Sequence, residues 1–488
     1  MPCKPALGWV LALSCLVCGA GQEALAQTAQ NYKLLGTYTK GTGFAGITAF
    51  QDAKGGAFAL LLDSKGTQVL DLRDPAKPTL IAGFSGPASS WRSACVLGGY
   101  GYIVSEGGAG LQVLDLRIPT KPKLLGTQLA TSFRYAHSVV AETLSTRSKN
   151  SPSRIAILGT DTGSHLLSVA GDPSKPKLLG TWKASYLSSA VLRGDLLYAC
   201  AQWNGRLEIL DVANPSQIKR TASVPTLKKY PECLAVSEDE ALAVVTDANA
   251  AGGALSVFAL AKGGPPKLLS TWLPSKGTAL GASVLFDRGV VQAAFLSQGL
   301  RMLDLSLPKA PKEIAYFDPW KGKGTEFRGI LSVARDPGSN RVYALDIDKG
   351  LSIFEDPTGR ASYGAATVGW EDRAPLLELR GAAWTGSNSF TFQLSNARPS
   401  SRGFFLLGTP GALKLGELLI LIDPLKLPIT LFPVTTDSLG TLKQTLPIPD
   451  LASLEGLTLG AQVLLLDRLG ALGLSASQGQ RFRVFKAP

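Results

Sequence analysis

The sequence predicts an all-β protein: a seven-bladed β-propeller followed by a C-terminal β-sandwich domain. Three observations carry that prediction. One phrase recurs along the chain: an apolar strand ending in Asp, a Pro-containing turn, and a second apolar strand. A period of roughly 40–50 residues built from short strands is the signature of propeller blades. The 488-residue chain holds 53 Gly and 30 Pro but only 2 Met and 2 His, a balance that suits many turns and strands. Amphipathic helical patterns are absent, which removes helical solenoids as the repeat architecture. With 45% hydrophobic and 18% charged residues, the chain can bury large cores and does not have the composition of a disordered one.

The clearest copies of the phrase are QVLDLRDPAKPTLIAGF from Gln68, QVLDLRIPTKPKLLGT from Gln112, EILDVANPSQI from Glu208 and RMLDLSLPKAPKEIAYF from Arg301. Degenerate copies start at His165, Ser256 and Ser352. Taking Asp71, Asp115, Ser168, Asp211, Ala259, Asp304 and Glu355 as equivalent positions gives seven units spaced 43 to 53 residues apart. From Trp91 one unit reads SACVLG, YGYIVSEGG, GLQVLDLRIP and PKLLGTQL, four apolar runs bounded by Gly or Pro turns and therefore four strands. The seventh copy ends at Asp356-Pro357 without its last strand, while an unpaired KLLGTY starts at Lys33. Pairing the two closes the ring and removes the free edges.

The QVLDL…P..P.LLG phrase resembles the LVIVD repeat of secreted bacterial β-propeller proteins, over residues 32–357. That resemblance implies the propeller fold and a location outside the cytoplasm. It brings no catalytic residue set.

Residues 1–26 read as a signal peptide: Lys4, an apolar stretch from Ala6 to Ala20, and the small-x-small Ala24-Leu25-Ala26. The mature chain is expected from Gln27, secreted to the periplasm, cell surface or medium, with no transmembrane segment after processing. Lipoprotein anchoring at Cys15 or Cys18 ranks second, because the residues before them fit a lipidation box poorly. The propeller is assigned to residues 27–357, a linker to 358–373 and the β-sandwich to 374–488. Processing leaves Cys95, Cys200 and Cys233, an odd number without paired spacing, which favours buried free thiols. The formal charge of +12 suits an anionic partner, and export argues against nucleic acid.

Chemical motifs are scarce. The letters GTGFAG from Gly41 to Gly46 lack the strand-to-helix context of a dinucleotide site and read as a turn. Neither G-x-S-x-G nor H-E-x-x-H occurs. His137 and His165 lie in different repeats and read as structural. Asp71, Asp115, Asp211 and Asp304 each precede a Pro turn, where Asp accepts local backbone hydrogen bonds. Arg193-Gly194-Asp195 falls at a hairpin, and turn chemistry explains its Gly and Asp. No cofactor is expected.

One pattern does suggest a site. An aromatic residue stands at or just before the start of most innermost strands: Phe44, Trp91, Tyr135, Tyr186, Tyr230 and Phe327. Charged neighbours accompany them: Arg92, Arg134, Lys229, Glu232 and Arg328, with His137 nearby. Starts of innermost strands face the usual ligand side of a propeller, and rings interleaved with charges can stack on sugars or bind anionic groups. The candidate ligand-binding residues are therefore Trp91, Arg92, Tyr135, His137, Tyr186, Tyr230, Glu232, Phe327 and Arg328. Packing between blades is the alternative role for the same rings. Lys77, Lys121, Lys123, Lys175, Lys177, Lys267, Lys309 and Lys312 lie in or beside the Pro turns and predict a basic opposite face.

The expected function is an exported, non-catalytic binding or scaffold protein of the cell envelope or surface. Its partner would be an envelope protein or glycan, anionic ones included. The alternative is a lactonase-like propeller hydrolase with a metal-dependent site in the central channel.

Overall fold

The computed structural model describes residues 28–144, 152–248, 253–261, 263–274, 281–320, 327–426 and 429–487. The expected signal peptide, with Cys3, Cys15 and Cys18, lies outside them. Among the described residues there is no α-helix, only strands and four short 3-10 turns.

The repeat units fold as antiparallel sets of four strands. The second set is representative: Arg92–Leu97, Tyr100–Ser105, Leu111–Asp115 and Lys123–Gln128, in that order across the sheet. Second strands are covered on both faces, which is why they read as unbroken apolar runs; Ala57–Asp63 (AFALLLD) is buried along its whole length. Outermost strands such as Lys123–Gln128 are half exposed. The innermost strands pack side by side in a circuit: Gly46–Gln51, Arg92–Leu97, Ser138–Thr143, Ser189–Arg193, Pro231–Val236, Ser283–Asp287 and Ile330–Arg335. The last of these returns to the first. The third and fourth sets are also joined by a short parallel pairing of Glu142 with Leu192 and Thr143 with Arg193.

The ring is closed as the sequence predicts. Lys33–Tyr38 is the outer strand beside Gly350–Glu355, with Lys33 opposite Glu355 and Tyr38 opposite Leu351. The strand before it carries no repeat signature: Thr28–Gln30 adds a fifth strand outside Lys312–Asp318. The sixth and seventh sets thus both take a strand from the N-terminal segment.

The recurring phrase has a packing reason. Every outer pair carries a register shift, for example between Leu124 and Gly126 and between Leu34 and Gly36, so the outer strand bends where its Gly sits. In two units that Gly lies against the Pro turn of the next: a Cβ on Gly180 would come within 1.8 Å of the Pro215 carbonyl oxygen and one on Gly36 within 2.1 Å of that of Pro75, whereas Gly126 has open space beside it. Where Ser270 replaces the Gly, its hydroxyl donates to the Pro308 carbonyl at 2.6 Å. The motif aspartates act locally, as expected. Asp71, Asp115, Asp211 and Asp304 each accept the backbone N–H two residues on, at 2.9 to 3.1 Å.

The C-terminal residues form a second region. One sheet runs in the order Ala361–Tyr363, Gly479–Arg483, Thr458–Ala471, Arg402–Gly408 and Thr430–Thr435; a second runs Leu376–Arg380, Thr391–Ser395 and Leu442–Thr445. Both contribute to one apolar cluster, where Phe392 stacks on Phe405 at 4.0 Å. The segment 358–373, expected to be a linker, is instead built into this region. Ala361–Tyr363 pairs with Gly479–Arg483, and the Thr367 and Ala476 backbones bond to each other.

The two regions share a core. Ala382 and Phe485 belong to the apolar cluster of Tyr32, Met302, Phe317 and Phe354. Arg360, fully buried, donates to the carbonyls of Arg288 and Gly381 at 2.9 Å and to the Asp287 carboxylate at 2.8 Å. Burial, with Arg288 and Arg335 close by, pushes its pKa down. The Trp384 indole donates to Asp304 at 3.0 Å, and Arg483 reaches Glu355 at 2.5 Å.

Gly180→Ala drives a methyl group into the Pro215 carbonyl and should cost about 1–3 kcal/mol of stability. Ser270→Gly removes one hydrogen bond and should cost about 1 kcal/mol. Urea unfolding midpoints of the two variants check the ranking; equal midpoints would contradict the packing account.

Candidate functional site

Seven strands converging on one axis leave room only for small side chains. A hydroxyl or thiol from every innermost strand lines a narrow channel of about 180 Å³: Thr48, Ser93, Ser138, Ser189, Cys233, Ser283 and Ser332. These groups tie neighbouring strands together. Thr48 donates to the Ala94 carbonyl at 2.7 Å and Ser138 to that of Ser188 at 2.6 Å, while Ser93 accepts from the Val139 N–H at 3.2 Å.

Above this ring the channel widens into a funnel of about 320 Å³, lined by Trp91, Glu106, His137, Tyr186, Gln202, Tyr230, Glu232, Ala248, Gly281, Ala282, Leu296 and Phe327. Trp91, His137, Glu232 and Ala282 border both spaces, so the two are continuous. The rings come from different units, each standing at or shortly before the start of an innermost strand. Trp91 stacks on His137 with centroids 4.7 Å apart and faces Phe327 at 6.5 Å. Tyr186 meets His137 edge-on at 6.2 Å and stacks on Trp203 at 4.0 Å.

His137 is the electrostatic centre. Its Nδ1 lies 2.7 Å from Glu106 Oε1 and its Nε2 3.6 Å from Glu232 Oε1. Gln202 donates to the other oxygen of Glu232. Burial works against the imidazolium, but hydrogen bonds and charge from Glu106 and Glu232 outweigh it and push the pKa up to about 9. Burial, together with the charges of Glu106 and Glu232, also raises the Tyr186 phenol, which stays neutral. His165 moves the other way: burial and Lys183 lower its pKa.

Of the residues singled out in the sequence, Trp91, His137, Tyr186, Tyr230, Glu232 and Phe327 come together in the funnel. Three do not deliver their functional groups there. Arg92 borders the lower channel, but its guanidinium is committed to the carbonyls of Asp63 and Pro87. Tyr135 is exposed and lines neither space. Arg328 sits over Trp320 at 5.8 Å and beside Asp348. Phe44 takes the packing role, buried among Tyr38, Tyr343 and Leu351. Arg134 is spent on an exposed ion pair with Asp161 at 2.9 Å.

The sequence reading missed Glu106, Gln202 and Trp203. All three follow directly on a second strand, Tyr100–Ser105 or Leu196–Ala201. The loop between second and third strands opens on the same face as the start of the first, and that rule would have found them.

Other motifs are structural. Arg193 of the Arg-Gly-Asp triplet donates to the carbonyls of Val236 and Ser237 in the next unit. Cys95, Cys200 and Cys233 are free thiols. The eight repeat lysines are all exposed. Among the described residues, no three His, Cys, Asp or Glu side chains are grouped to hold a metal ion.

A family match agrees with the repeat seen here. The LVIVD repeat family matches residues 188–226, a window that spans one four-stranded unit, Ser189–Arg193 to Lys219–Pro225. Two solved structures are similar over 66% of this chain and 99% of their own. They are the Cps50 (Swd1) β-propeller domain of Myceliophteria thermophila, 14% identical with a TM-score of 0.47, and the computationally designed Ika8 protein, 9% identical with a TM-score of 0.43. No curated protein matches. The chain is all-β with a β-propeller fold, and it carries an LVIVD repeat.

The two histidines should titrate on opposite sides of the ordinary value, which NMR of the imidazole nitrogens can follow, with His165→Gln fixing the assignment. The folded protein holds the His137 proton more tightly than the unfolded chain does. Its stabilising contribution is therefore complete below the ordinary value of 6.5 and lost as pH rises through about 9. Thermal midpoints of wild type and His137→Gln should accordingly converge above that pH. A His137 titrating below 6.5 would contradict the Glu106 and Glu232 pairing.

Proposed function

We propose that the chain is an exported, non-catalytic binding protein of the cell envelope or surface, in which a seven-bladed propeller presents the aromatic funnel to a group of an envelope protein or glycan. The residues from 374 onward form a β-sandwich docked on the propeller beside the closure of the ring. The observation that carries the reading is the convergence of Trp91, Tyr186, Tyr230 and Phe327, from four different units, on one concave space with buried polar groups at its base. Flat rings around a cavity of this size offer stacking area at low entropic cost, and Glu106, Glu232 and Gln202 supply hydrogen-bonding partners.

The anionic partner expected from the net charge fits the other face better. Exposed lysines of the Pro turns gather there, whereas the funnel presents two carboxylates. The hydrolase alternative lacks a grouped donor set among the described residues.

Binding to immobilised envelope glycans and proteins tests the reading. Trp91→Ala and Tyr230→Ala should each weaken retention about 3-fold to 10-fold, the worth of one stacked ring, with thermal midpoints nearly unchanged. A large loss of stability without loss of binding would return these rings to a packing role.

A further inference from the structure

We propose that the group seated in the funnel is an alkylammonium cation. This rests on the funnel being the ligand site, and it adds the charge of what binds there.

The charged side chains that line the space set the charge of what can bind there. Among the described residues these are Glu106, Glu232 and His137, with no Lys or Arg. Two carboxylates and one imidazolium leave a net charge of −1. Glu106 is the accessible one: its side chain is 45% exposed, against 10% for Glu232. The walls around this excess negative charge are the π-faces and edges of Trp91, Tyr186, Tyr230 and Phe327. Ring faces carry negative potential and attract cations, more strongly when water is displaced.

The protein already seats one cation in this environment. The His137 imidazolium lies flat on Trp91 at 4.7 Å and meets Tyr186 at 6.2 Å, held between the two carboxylates. An anion entering the funnel would meet both glutamates and, among the described lining residues, no Lys or Arg. A neutral sugar would stack, but would leave the net charge uncompensated. An ammonium group with apolar substituents satisfies both features: its charge faces Glu106 and its methyl or methylene groups lie against the rings. A protein side chain and an amino sugar both present this chemistry.

The groups facing His137 from the surrounding elements are Glu106, Glu232, Tyr186 and Tyr230. Both phenols have raised pKa values, burial being the main cause and nearby glutamates adding to it. His137 is therefore the group among them that changes charge near neutral to mildly alkaline pH. Loss of its proton makes the funnel more negative, so a cation should bind more tightly as pH rises through about 9, while a neutral ligand should not respond.

The experiment is calorimetric titration of the full mature chain with choline, and with its neutral isostere in which carbon replaces nitrogen. Nα-acetyl-lysine amide and glucosamine distinguish a peptide from a glycan source. Choline should bind about tenfold or more tightly than the isostere, and Glu106→Gln should erase most of that preference while keeping a cooperative thermal transition. Affinity should rise with pH in wild type, and His137→Gln should bind more tightly at pH 7 without that rise. Equal binding of choline and isostere, or binding of glucose with no response to choline, would overturn the cation assignment while leaving the funnel as a ligand site. No binding of any probe, with Trp91→Ala retaining its envelope partner, would overturn both.

Discussion

Everything in the larger region follows from crowding at an axis. Seven innermost strands meet around a channel to which each contributes one small polar side chain: Thr48, Ser93, Ser138, Ser189, Cys233, Ser283 and Ser332. Small side chains let the strands approach, and polar ones bond across the gaps. The Thr48 to Ala94 and Ser138 to Ser188 bonds link strands that share no extended ladder. One residue earlier on each strand the radius is larger, and there the chain places varied residues: Arg92, His137, Glu232 and Ala282. Structure is repeated at the neck and individuality is released just above it, which is why a site appears at that level.

The outer boundary obeys a matching rule. Gly36 and Gly180 leave space for the Pro carbonyls of the next unit, and Ser270 fills the same contact with a hydrogen bond. At these three junctions the Pro turn and the small residue of the recurring phrase are thus two halves of a contact between neighbours. A unit reads as a repeat because each one must fit the next.

The repeat, its four strands and the ring closure were legible because they depend on local pattern: period-two strands, turn residues and the unpaired KLLGTY. The Asp before each turn was legible for the same reason, since its partner is two residues away. The site was half legible. Trp91, Tyr186, Tyr230 and Phe327 share a position in the repeat, so periodicity found them. Periodicity also selected Phe44, Tyr135, Arg92 and Arg328, whose fates are set by neighbours far away in sequence, such as Tyr343 for Phe44 and Asp63 for Arg92. Glu106 and Trp203 follow a different strand and carry no repeat signature. The segment 358–373 looked like a linker because Ala361–Tyr363 is short and its partner, Gly479–Arg483, is more than a hundred residues on.

The pairing of Lys33 with Glu355 closes the ring without a covalent bond, and Arg483 grips that same Glu355. Asn31, just ahead of the closing strand, bonds to the Ile314 carbonyl on one side and to that of Lys486 on the other. The first and last segments of the chain therefore fasten each other down at the one place where the circle could spring open. The seam of the ring is thus held in part by contacts contributed from outside it.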